Sequence, residues 1–119
     1  MQAAAASRDL PGDLDRARIA LTTLAAFAAI AAAQLADLTT FLRMISVGGL
    51  AAEANPIVAH LGSTMGLEIL VLLKLALIPF AVLVVTVLAR VRTRLAASVL
   101  TFATLTGLFG ALTNILAFL

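Results

Sequence analysis

Three long apolar runs, joined by connectors too short to form a domain, decide what this chain can become. They are Ile19 to Leu42, Leu67 to Ala89 and Leu95 to Leu119. A helix crossing a hydrocarbon core of about 30 Å needs roughly 20 mostly apolar residues, and each run is long enough. A soluble domain averages roughly 45–50% apolar and about 25% charged residues; this chain of 119 residues is 63% hydrophobic and only 12% charged. In lipid every backbone amide and carbonyl must be bonded within its own segment, which at this length means helix. The expected fold is an all-α integral membrane protein, one domain over 1–119, with transmembrane helices at 19–42, 67–89 and 95–118.

The first run is too long for the apolar stretch of a signal peptide, roughly 7–15 residues, and is expected to stay as a span. Before it, Pro11-Gly12 reads as a break and Asp13 as the cap of a helix beginning near Leu14. Met1 to Leu10 reads as a flexible tail, and residues 1–13 as a cytoplasmic one. Orientation follows from the basic residues. Arg8, Arg16 and Arg18 precede the first span, and Arg90, Arg92 and Arg94 crowd the second connector. The first connector holds one, Arg43. Basic connectors stay on the cytoplasmic side, which places the chain in the inner (plasma) membrane with its N-terminus in and its C-terminus out. There is no Trp or Tyr for the usual interfacial belt, so Phe and Arg must anchor the helices.

Polar side chains inside the runs are few. Asp37 lies eight residues before Ile45, near the expected end of the first helix, and Lys74 lies eight after Gly66. At 1.5 Å per residue both sit about 12 Å below the same face of the membrane. Intramembrane ions face protein and find partners, so Asp37 and Lys74 are expected to form an ion pair. Gln34, Asp37 and Thr40 recur every three residues and share one helix face. Asn114 reaches the same leaflet from the third span. Glu68 sits in the first turn of the second span, where a carboxylate suits the helix terminus, but six residues from Lys74 and on another face. Ala103, Gly107 and Ala111 form a small-residue row with Gly110, Thr106 and Thr113 beside it, a surface on which another helix can approach closely. The alanine run Ala25 to Ala36 is its expected partner. Pro79 interrupts the hydrogen-bond ladder of the second span and predicts a kink.

Between the first two spans lies EANPIVAHLG, Glu53 to Gly62. Gly48-Gly49 ends the preceding helix, and Asn55-Pro56 is a cap followed by a first-turn proline. The spacing predicts a short helix over 56–61 on the outer face, ended by Gly62, with Ile57, Val58 and Leu61 turned inward. Glu53 falls two residues before the cap, within reach of free amides or of the polar layer beneath.

Taken in order, D-x-x-T at Asp37–Thr40, a Gly-Gly turn, E-x-N-P at Glu53–Pro56 and K-L at Lys74-Leu75 resemble a family of small bacterial and archaeal integral membrane proteins sharing this pattern. The resemblance covers Gln34 to Leu75. It implies that Asp37, Thr40, Glu53, Asn55, Pro56 and Lys74 are a polar signature, and it implies no activity.

Enzymatic chemistry finds little support. Zinc and iron sites draw on several His or Cys ligands, whereas His60 is the only histidine and cysteine is absent. Ser46 and Ser63 lack the companions of a nucleophilic triad, so no metal, cofactor or catalytic residue is expected. The basic residues form no dense patch with interleaved aromatics, which excludes a nucleic-acid surface. Two functions remain: a non-catalytic accessory subunit packing against other membrane-protein subunits or copies of itself, and a small oligomeric carrier using Asp37, Lys74 and Glu53.

Overall fold

The computed structural model describes the backbone of residues 2–119 and the side chains of residues 12–119. Its elements are α1 (Gln2–Gly48), a 3-10 turn (Leu50–Ala52), α2 (Pro56–Met65), α3 (Leu67–Val91) and α4 (Thr93–Phe118). Three segments are long and apolar enough to cross a membrane: Gly12–Gly48, Leu67–Val91 and Thr93–Phe118. They form an up-down-up bundle in which α1 and α4 run parallel and pack most extensively, while α3 returns between their ends and touches both.

Against lipid, helices gain no hydrophobic energy by meeting, so close packing and polar contacts hold them together. The α1–α4 seam is built on that rule. Ala33 and Gly107 are both buried, and a β-carbon on Gly107 would lie only 2.8 Å from the Ala33 carbonyl carbon and 2.9 Å from its oxygen. Ala111 is buried one turn further along. The alanine run of α1 therefore meets the small-residue row of α4 as expected.

The largest buried side chains gather near the end of the bundle that carries the connector. Phe41, Met44 and Leu70 are buried together, with Leu50, Val58, Leu61 and Phe118 packed around them. Two glycines bound this connector. Gly49 (φ 68°, ψ −175°) ends α1, and Gly66 (φ 92°, ψ 160°) separates α2 from α3. Both conformations are essentially restricted to glycine.

Several local expectations are corrected. Gly12 and Asp13 are already helical, so α1 does not begin at Leu14. Asp13 lies within the helix, 3.8 Å from Arg16 one turn on, where it forms an exposed ion pair instead of a cap. Of the segment Met1 to Leu10, expected as a flexible tail, the backbone from Gln2 onward belongs to α1, and Met1 lies outside the described residues. Gly62 does not stop α2, which continues to Met65. Gly62 is buried, and a β-carbon there would lie 2.9 Å from a Leu50 methyl group. It is small because the 3-10 turn passes across it. Ile57, expected to face inward, is exposed, and Val58 and Leu61 supply the packed side of α2.

Gly107→Ala should cost about 1–3 kcal/mol, the range for overpacking a tight contact, because the added methyl meets backbone that cannot rotate away. Gly12→Ala, which meets nothing, should be neutral or slightly stabilising. Unfolding of both variants in detergent micelles checks the contrast.

Candidate functional site

Asp37 and Lys74 meet across α1 and α3. Lys74 Nζ donates to Asp37 Oδ2 at 2.7 Å, and the two side chains are 15% and 14% exposed. The ammonium also sits over the Phe41 ring, 4.8 Å from its centroid. Phe41 follows Asp37 by one helical turn, so both lie on the face of α1 that receives Lys74. A desolvated cation gains from an aromatic face as well as from a carboxylate. Carboxylate and ring together replace part of the water the lysine loses.

The third helix joins at the same carboxylate. Asn114 Nδ2 lies 3.1 Å from Asp37 Oδ1, 3.1 Å from the Asp37 carbonyl and 3.2 Å from Thr40 Oγ1. With two hydrogens for three acceptors, at least one is shared. The Thr40 hydroxyl donates in turn to the Ala36 carbonyl at 2.7 Å. Gly110 makes room for this layer, since a β-carbon there would collide with the Asp37 carboxylate. About one turn before Asp37 on α1, Gln34 Nε2 donates to the Ala103 carbonyl at 2.8 Å. The polar stripe Gln34–Asp37–Thr40 thus faces α4, with Asp37 also reaching α3.

Glu53 and Asn55 form a second, adjoining layer. Asn55 Oδ1 accepts from the Ile57 amide at 3.0 Å and the Val58 amide at 3.5 Å, capping α2 as its sequence required. Glu53 Oε1 accepts from the Asn55 amide at 2.8 Å and so holds the cap from behind. Both residues line a groove of about 650 Å³ together with Asp37, Lys74 and Asn114; α4 adds the apolar side chains Phe102, Leu105 and Phe109, together with Thr106 and Thr113.

Of the expected polar cluster, Gln34, Asp37, Thr40, Lys74 and Asn114 are brought into contact with one another or with facing backbone, and Glu53 and Asn55 roof them. Glu68 is not: it is exposed in the first turn of α3, on the side its six-residue offset from Lys74 dictates. His60 is exposed on α2, where only its carbonyl is engaged, by Ser63 and Thr64. Among the described residues no group of three or more His, Asp or Glu side chains is placed to hold a metal ion. The contribution of Phe41 was missed in the sequence, although its four-residue offset from Asp37 carried the signal. The need for glycine at position 110 had no sequence signal apart from the small-residue row.

Fold and site together define a class: a small protein of three helices apolar enough to span a membrane, tied toward one end by a half-buried charge pair beside an open groove. Comparison with known proteins adds no narrower identity, as no family model, curated protein or solved structure matches the chain.

Removing one partner of a buried pair strands a charge and costs about 3–5 kcal/mol, whereas replacing both can be near neutral. Asp37→Asn and Lys74→Met should each lower unfolding stability strongly in micelles, and the double variant should recover most of the loss. A double variant as unstable as the sum of the singles contradicts this assignment.

Proposed function

We propose that this protein is a non-catalytic accessory subunit of a larger membrane complex, in the inner membrane of a prokaryotic cell, with its N-terminus and arginine-rich connector in the cytoplasm. The observation that carries the reading is the arm of α1. Every side chain from Gly12 to Ala25 is exposed, although the segment is rich in leucine and alanine. Leu14, Leu21 and Leu24 are 72%, 68% and 66% exposed. With Ala17 and Ala28 they follow the three- and four-residue spacing of a helix-packing seam. Among the described residues no other element lies against this stripe, and a neighbouring helix in a complex is the natural partner for it.

The charge pair fits a structural role in such a subunit. Its charges are matched and its acceptors engaged across three helices, which is how a polar layer sets helix register. Membership of the small prokaryotic family with the D-x-x-T, Gly-Gly, E-x-N-P and K-L pattern belongs to this same proposal, since its signature residues are those that tie the bundle and build its connector.

A carrier is the second reading, favoured by the groove beside Asp37, Lys74 and Glu53. No ionisable side chain lies between Arg18 and Asp37 on α1, between Lys74 and Arg90 on α3, or after Arg94 on α4 to continue a path, so a carrier would require a relay supplied by another chain.

Purification from native membranes in mild detergent should recover a defined hetero-complex. Changing Leu14, Leu21 and Leu24 to Ser should release the partner while leaving the bundle folded, because these side chains touch nothing within it. Recovery of a lone monomer or homo-oligomer contradicts the subunit reading. Ion-dependent flux in liposomes that the Asp37→Asn, Lys74→Met double variant abolishes, with assembly intact, would establish the carrier instead.

A further inference from the structure

The groove at the connector end is graded along its length. Glu53, Ala54, Asn55 and Val58 roof it, Asp37, Lys74 and Asn114 form its middle, and Leu105 and Phe102 continue it toward the centre of α4. Phe102, Leu105 and Phe109 are exposed, so the groove opens sideways, where a bilayer would lie. Its volume, about 650 Å³, is in the range of small-molecule sites, roughly 300–1,000 Å³.

Its charges are unequally used. Asp37 and Lys74 neutralise one another at 2.7 Å, and the ammonium is further covered by Phe41. Among the described residues the Glu53 carboxylate accepts one hydrogen bond, through Oε1 from the Asn55 amide. Its other oxygen accepts none. The lining therefore carries one uncompensated negative charge at the roof and a mostly apolar wall below it, in which the Thr106 and Thr113 hydroxyls donate to carbonyls of their own helix.

We propose that this groove binds a membrane amphiphile with a cationic ammonium head, the head against Glu53 and the tail along Phe102, Leu105 and Phe109. Charge complementarity selects the head. A neutral or anionic head would leave Glu53 unpaired at the rim of the hydrocarbon, where an isolated carboxylate is costly. The polarity gradient selects the orientation, with the tail pointing toward the middle of the bundle. Binding of this kind is separate from the α1 arm and stands whether or not a partner subunit is present.

The test uses the full chain in phosphatidylcholine nanodiscs and spin-labelled alkyl probes of one chain length with ammonium, hydroxyl or carboxylate heads. The protein should immobilise the ammonium probe at least about tenfold more strongly than the hydroxyl probe, one decade of affinity. Glu53→Gln should erase that preference. Glutamine keeps an oxygen for the Asn55 amide, so the cap and the helix content should survive. Ala54→Lys, at an exposed lining position, should shift preference toward the carboxylate probe without touching the core. The Asp37→Asn, Lys74→Met double variant should retain the ammonium preference, because the net charge of the groove is unchanged. Equal immobilisation of all three probes by the native chain, or an ammonium preference that persists in Glu53→Gln, overturns the proposal and leaves the groove to bulk lipid or a protein helix.

Discussion

The bond between Lys74 and Asp37 is the constraint on which the rest of the bundle depends. Each group alone on a helix in lipid is unfavourable, by up to about 2.5–3.5 kcal/mol at the membrane centre on insertion scales. Both are relieved only when α1 and α3 stand side by side in one register. Asn114 then brings α4 to the same carboxylate at 3.1 Å, so three helices share one acceptor group. Gly110 leaves space for that carboxylate, and Gly107 lets α4 settle on Ala33 one turn away. Where the solvent gives apolar faces no reason to prefer each other to lipid, these few polar and small residues decide the arrangement.

The connector shows how a short polar segment acquires shape. Gly49 and Gly66 take backbone conformations open essentially to glycine alone. Between them Asn55 and Pro56 start α2, and Glu53 steadies the cap through the Asn55 amide. Gly62 allows Leu50 to cross the helix closely enough to reach Leu70 and the Phe41–Met44 core. The loop is thereby a packed roof over the charge pair, and its one spare carboxylate faces the groove. The opposite end of the molecule is built differently. There the described residues of α1 from Gly12 to Ala25 are exposed, and Leu14, Leu21 and Leu24 contrast with the packed connector.

Much of this was legible in the residues because a few strong rules act on an apolar helical chain. The three long apolar helices follow from length and hydropathy, and the Asp37–Lys74 pairing from matching positions on consecutive helices. Asn55-Pro56 announced the start of α2. The errors arose where tertiary packing overrides a local signal. Gly62 looks like a stop because glycine favours helix ends, yet a crossing side chain needs its missing β-carbon. Ile57 looks buried by composition, but the helix turns Val58 and Leu61 to the core. Asp13 looks like a cap, yet the helix includes it and Gly12. Glu68 shares the depth range of the cluster without sharing its face, a distinction its spacing from Lys74 already contained. The aromatic face beneath Lys74 required knowing which side of α1 the lysine approaches.

Lys74 is the only lysine in the chain, which makes the central contact directly observable. Protein labelled with 15N at lysine Nζ and 13C at the aspartate carboxyls, reconstituted in bilayers, can be examined by dipolar-recoupling solid-state NMR. Strong coupling of the lysine nitrogen to a single aspartate carboxyl carbon is expected, as an Nζ–Oδ2 distance of 2.7 Å requires, with its loss in Asp37→Asn. Absence of that coupling in the native chain, or its persistence without Asp37, would contradict the account.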